Sequence, residues 1–213
     1  MNRSLVTAVL GVSATMSVAA PGEVVLSLTV VSPQIVLGVP VEVEIGWANT
    51  GPESVQLASG VGDVIGPFED TEGFKRVIRV RRPDGTIGSG GWQSNSVPWR
   101  GLAPGQRVVY RADLEGTEPQ VFTAPGRYEM WAEYESPGRV YGQGSIAGQP
   151  RLYTDHWKGR LVSGVCPIVV VEPEGADREA YERYEGGPMF ARHLLREFPT
   201  STYAAYRVRE FTS

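Results

Sequence analysis

Cysteine is almost missing from this chain: Cys166 stands alone among 213 residues. A lone cysteine excludes an internal disulfide, so the core must be large enough to hold without one. Cys166 sits in the strand-like run "LVSGVCPIVVV" and reads as a small buried hydrophobe rather than a reactive thiol. Histidine is nearly as scarce, with only His156 and His193. No His/Cys/Asp group has metal-ligand spacing, so no metal is expected. Charge of one sign is lacking too. Twenty basic residues face 24 acidic ones, a formal net charge of -4, which argues against a dedicated nucleic-acid binder. Helical periodicity is absent before Glu174. Past the N-terminus no apolar run is long enough to cross a bilayer, and the mature chain is expected to be soluble.

Several catalytic and cofactor signatures fail on inspection. Asp155-His156 is an adjacent pair, whereas a catalytic base must converge in space with a nucleophile. His193 has charged neighbours on a helical segment and reads as solvated. "GQGSIAG" (residues 142–148) lacks dinucleotide-binding spacing, and "GTIGSGG" has no Lys-Ser/Thr after it. Glu69, Asp70 and Glu72 do not follow a calcium-loop pattern. The expectation is a chain with no enzyme activity, no cofactor and no metal.

The N-terminus carries a positive signal. "MNRSLVTAVLGVSATMSVAAPGE" has an early charge at Arg3, an uncharged stretch from Ser4 to Pro21, and small residues at its end. That is the layout of a secretory signal peptide, with Ser17-Val18-Ala19 fitting the small-x-small rule. Residues 1–19 are therefore expected to be removed, and the protein exported to the periplasm or outside the cell.

The body, residues 20–173, reads as short strands and turns. "EVVLSLTVV" is rich in β-branched residues. In "GVPVEVEIGWANTG", Val39, Val41, Val43, Ile45 and Trp47 alternate with Pro40, Glu42, Glu44 and Gly46. A period of two puts one apolar face inward and an acidic face outward. The same alternation places Val108, Tyr110, Ala112 and Leu114 on one face, and Tyr128, Met130, Ala132 and Tyr134 on another. "FKRVIRVRRPDGTI" is strand, Pro-Asp-Gly turn and return. Seven or so strands punctuated by Pro and Gly predict an antiparallel β-sandwich, making the chain mainly β.

"LGVPVEVEIGWANTG", "LAPGQRVVYRADL" and "FTAPGRYEMWAEYE" together resemble the immunoglobulin-like domains of bacterial exported proteins, in which a Pro-Gly-x-Tyr segment opens a late strand. The resemblance covers roughly Glu23 to Pro173 and implies a fold type, not a function. The Cys-Trp-Cys trio of antibody domains is absent. Tyr128 stands where a corner tyrosine would bond nearby backbone.

Three connections exceed what a compact sandwich needs: Ser59–Gly73, Pro83–Gly101 and Ser136–Gly159. The last two hold Trp92, Trp99, Tyr141, Tyr153, His156 and Trp157. These six are the candidate ligand-binding residues, their rings either folded back on the sandwich or presented to a partner. Lys75, Arg79 and Arg81 share a parity, which reads as an edge strand guarded by charge or, alternatively, as a docking face for an anionic partner.

Residues 174–213 break the β pattern. Ala191, Leu194, Leu195 and Phe198 recur at helical spacing, and Ala204, Val208 and Phe211 form a second stripe. Between them, Pro199 ends one helix, and Thr200 or Ser201 can cap the next. "LLREFPTSTYAAYRV" resembles the junction of a tetratricopeptide-type helical hairpin, though as a single unit with no second unit to stack on. The hairpin must bury its stripes on its own sandwich or on another protein, and the solubility liability of an exposed stripe favours the sandwich. The composite expectation is a non-catalytic binding or scaffold protein for another envelope or extracellular protein. Carbohydrate binding through the loop tryptophans and peptidase inhibition are the alternatives.

Overall fold

The computed structural model describes residues 24–58, 75–90, 99–114, 121–136, 140–146, 149–153, 157–184 and 193–212. Two sheets carry the body. Strands β1 (Val24–Val30), β3 (Val41–Asn49) and β8 (Arg107–Leu114) form one, in the order β1-β3-β8. The other runs β2-β13-β9-β5-β6, from β2 (Gln34–Val36), β13 (Cys166–Val171), β9 (Gly126–Ser136), β5 (Lys75–Arg81) and β6 (Ile87–Gly90). Strand β12 (Gly159–Val162) also pairs with β9. Two small ribbons stand apart, β4 (Val55–Ala58) with β7 (Trp99–Leu102) and β10 (Val140–Ile146) with β11 (Gln149–Tyr153). Three short helices follow: α1 (Ala176–Arg183), α2 (Leu194–Glu197) and α3 (Thr202–Thr212).

Lettered along the chain, β1, β3 and β8 take the places of A, B and E, while β5, β9 and β13 take those of C, F and G. This is an immunoglobulin-like sandwich of antiparallel sheets, as the sequence predicts. Its one parallel pairing among the described strands joins β2 to β13.

The predicted alternation is obeyed closely. On β3, Val41, Val43, Ile45 and Trp47 are buried while Glu42 and Glu44 reach the surface. On β9, Tyr128, Met130, Ala132 and Tyr134 are fully enclosed. The sheets meet where Trp47 stacks edge-on against Tyr134 and Tyr110, with ring centroids 6.3 and 5.6 Å apart. Cys166 is half-buried, and its thiol donates to the Leu28 carbonyl across the two sheets at 3.0 Å. Burial pushes that thiol up from its ordinary value, so it stays protonated and unreactive.

The corner tyrosine is present. Tyr128 donates its hydroxyl to the Ala124 carbonyl at 2.6 Å and accepts from the Ala124 N–H at 3.3 Å. Four residues upstream is where such a corner closes.

Strands β12 and β13 are one G strand with a bulge. Leu161 pairs with Tyr134 and Ile168 with Tyr128, so the register slips by one residue between them. Ser163 fills the gap: its N–H donates to the Ala132 carbonyl at 2.9 Å, and its hydroxyl accepts from the Ala132 N–H at 2.8 Å.

Replacing Tyr128 by Phe keeps the ring and removes the two hydrogen bonds. The substitution is expected to destabilise the domain by about 1 kcal/mol. Urea unfolding checks it, with the midpoint falling and the slope unchanged.

Candidate functional site

Of the six residues proposed for ligand binding, Trp92 and His156 lie outside the described residues. The side chains of Trp99, Tyr141 and Tyr153 do too, although their backbones belong to β7, β10 and β11. Trp157 is described, and its ring is folded back. The ring lies 5.8 Å from the Tyr134 ring and packs on the main core, and the Trp157 backbone N–H donates to the Gln56 carbonyl at 2.8 Å. Gly159 beneath it has φ +146, and a Cβ there would come within 2.8 Å of the indole. A glycine is therefore required for the ring to lie flat on the strand.

The basic stripe is not on an edge. β9 pairs with β5 along its whole length, and β6 covers its other side from Ile78 to Arg81. Neither is the stripe a bare cationic face, because β9 sets acidic residues opposite it. Lys75 pairs with Glu135, Arg79 with Trp131 and Arg81 with Glu129. Arg81 reaches Glu129 at 2.6 Å and lies over the Trp131 ring, 5.6 Å from its centroid. The side chain of Glu133, only 11% exposed, accepts from the Trp131 indole at 3.0 Å and faces Arg79 and Arg160 at 3.6 and 3.4 Å. Cross-strand pairing of opposite charges explains the pattern better than edge protection does.

The tail lies on the sandwich. Ala180, Leu194, Tyr203 and Ala204 are buried together against Val36 and Val39. Burying side chains as large as Leu194 and Tyr203 stabilises such a contact by about 1.5–3 kcal/mol each. Two polar clamps fix its geometry. Tyr203 donates its hydroxyl to the Leu37 carbonyl at 2.5 Å. Asp177 of α1 accepts from the Thr202 N–H and hydroxyl at 2.6 and 2.7 Å, closing the start of α3 from a neighbouring helix. Ser201 is the local cap, accepting from the Ala204 N–H at 3.1 Å. Gly38, at φ +88, has Tyr181 and Tyr203 against the place a side chain would fill.

The apolar stripes are used unevenly. Leu194 and Ala204 are enclosed and Phe198 is half-buried, whereas Leu195 and Val208 are exposed. Ala191 lies outside the described residues, as does the side chain of Phe211. Tyr203 and Tyr206 carry burial that the stripe assigned to aliphatic positions. A reading that counted tyrosine as apolar would have found them.

Between α3 and the sandwich runs a cavity of about 400 Å³. One wall is β2 (Gln34, Ile35 and Val36) with Ser32. The other is Thr202, Ala205 and Tyr206 of α3, and Val39, Pro40, Glu42 and Val171 complete it. Its volume falls in the range of ligand clefts, roughly 300–1,000 Å³. Among the described residues the lining is largely apolar, with one carboxylate, Glu42. Among the described residues, no group of three or more His, Cys, Asp or Glu side chains could hold a metal ion. None of the described helices is long and apolar enough to cross a membrane.

No family model matches this chain, and no curated protein does. Among solved structures it is similar to a CARDB domain from Pyrococcus furiosus determined with di-metal ions. That pair has 13% identity and a TM-score of 0.36, covering 70% of this chain and 89% of the other. A β-glucosidase from Listeria innocua in complex with glucose matches at 10% identity and a TM-score of 0.34, over 70% of this chain and 16% of the enzyme. The ApaA protein of Bordetella pertussis matches at 14% and 0.31, over 68% and 94%. Likeness of this degree bears on neither ligand nor activity, and the fold assignment rests on the strand order itself.

Burial and the nearby Asp177 carboxylate hold the Tyr203 phenol well above its ordinary value of 10.0. The neutral phenol is the form that fits the folded state, so its contribution is complete below pH 10. It is lost as the pH climbs from there, because the unfolded chain ionises first. Tail docking is therefore expected to weaken above about pH 10. The protection of α3 amides relative to their intrinsic exchange rates should fall there in the native protein, and Tyr203→Phe should remove that fall.

Proposed function

We propose that this chain is an exported, non-catalytic binding protein that holds another protein at the cell envelope or outside the cell. The observation that carries the reading is the groove between α3 and β2, a largely apolar cleft with a single carboxylate among its described lining residues. A cleft of that make-up can orient and bury a ligand. The layout of residues 1–19 supports export. The resemblance of residues 194–208 to a tetratricopeptide-type hairpin supports an interaction role with one change of detail. Leu194 and Ala204 are spent on the hairpin's own sandwich, so the surface left to a partner is the groove beside it. The carbohydrate alternative loses ground because one of its three rings, Trp157, is packed on the core.

Immobilised, the intact protein is expected to retain one protein from the envelope or secreted fraction of its source cells. That protein, once purified, should bind again in calorimetry at one to one. Eluates indistinguishable from blank resin, or retention of polysaccharide instead, overturn the reading.

A further inference from the structure

We infer that the groove takes its partner as an extended, neutral-to-cationic peptide segment that adds a strand to the outer edge of β2. The inference rests on the protein-binding reading above and specifies how that binding is made.

The hydrogen-bond pattern of β2 decides which backbone groups face the groove. The Val169 N–H donates to the Pro33 carbonyl, and the Leu37 N–H donates to the Val171 carbonyl. In parallel pairing, alternate residues turn toward the neighbouring strand, so residues 33, 35 and 37 serve β13. Gln34 and Val36 turn the other way. The Val36 carbonyl accepts from the Val39 N–H at 3.0 Å. The Gln34 N–H, the Gln34 carbonyl and the Val36 N–H have no partner among the described residues, and both residues line the cavity. Three aligned backbone groups beside an apolar wall are the recognition elements of strand addition, where main-chain bonds supply affinity and side-chain pockets supply selectivity. Helix α3 forms the opposite wall, so a bound chain would lie between strand and helix.

The chemistry of the wall narrows the occupant. Val36, Val39, Val171, Ala205 and Tyr206 accept small apolar side chains on one parity of the segment. Among the described lining residues Glu42 alone is acidic or basic, and it lies 3.7 Å from Arg111. An acidic segment is therefore disfavoured and a lysine or arginine favoured. A second copy is the poorer occupant. Its own edge, Ser32-Pro33-Gln34-Ile35-Val36, carries no cation, and self-pairing would bring Glu42 toward Glu42.

A displayed library of random decapeptides, selected on the full-length protein, tests this. Selected peptides should alternate apolar with polar residues, carry Lys or Arg, and lack Asp and Glu. A synthetic copy at saturation should slow amide exchange at Gln34 and Val36 at least tenfold and leave β5 and β6 unchanged. Gln34→Pro removes the outward N–H, together with the Gln34 side chain, and spares the groups that pair with β13; it should weaken binding about tenfold, whereas Gln34→Ala, which keeps the N–H, should not. Ala205→Trp, filling the groove from an exposed helix position, should abolish binding, with circular dichroism unchanged for Gln34→Pro and Ala205→Trp. Helical or acidic binders, an exchange footprint elsewhere, self-association through β2, or a library that yields nothing overturns the strand-addition mode. A captured natural partner whose binding ignores Gln34→Pro and Ala205→Trp overturns it as well, while leaving the broader protein-binding reading intact.

Discussion

Strand β9 is the element on which everything else is hung. It is paired along both edges, by β5 on one side and by the bulged β12–β13 strand on the other. Its inner parity, Tyr128, Met130, Ala132 and Tyr134, fills the space between the sheets. On its outer parity Glu129, Trp131 and Glu133 meet Arg79 and Arg81 of β5 and Arg160. One stretch of eleven residues thus sets the core and neutralises the outer face of the larger sheet. Because the side-chain period is two, a one-residue slip would bury the carboxylates and expose the tyrosines, which is why its register is so firmly specified. The Tyr128 corner pins its start, and the Ser163 bulge lets the last strand stay in contact with it despite an extra residue.

Much of this was legible in the sequence because period-two alternation is a local signal. The faces of β3, β8 and β9 could be read residue by residue. Strand β2 could not, since three residues after a proline carry no alternation, and only the parallel pairing with β13 makes them a strand. The ribbon of β10 and β11 falls in a stretch expected to be a loop. "VYGQGSI" is too rich in glycine to announce a strand, and its pairing depends on a partner several residues on. The placement of β5 inside its sheet was likewise hidden, because a strand's neighbours are a property of topology. Charges on one parity suit an edge and an ion-paired interior strand equally well.

The tail shows a different limit. Helical spacing correctly marked Leu194 and Ala204, yet α2 is a single turn, too short for its stripe to behave as one face, and Leu195 points to solvent. The residues that fix the docking are Tyr203 and Asp177. What makes them decisive is the identity of their partners, the Leu37 carbonyl and the Thr202 N–H. Neither partner can be found by scanning for apolar repeats. Gly38 belongs to the same set, since its missing side chain is what allows two tyrosines to lie against the turn.

The same tail resolves a difficulty that an immunoglobulin-like sheet with an open strand would otherwise face. An unpaired edge is a template for uncontrolled pairing between molecules. Here the edge is β2, only three residues long. Helix α3, fixed by its tyrosine and by the Asp177 clamp, stands across from that edge at the distance of a groove. The contacts that dock the tail, Tyr203 on the Leu37 carbonyl and Asp177 on Thr202, therefore also set where α3 stands relative to that edge.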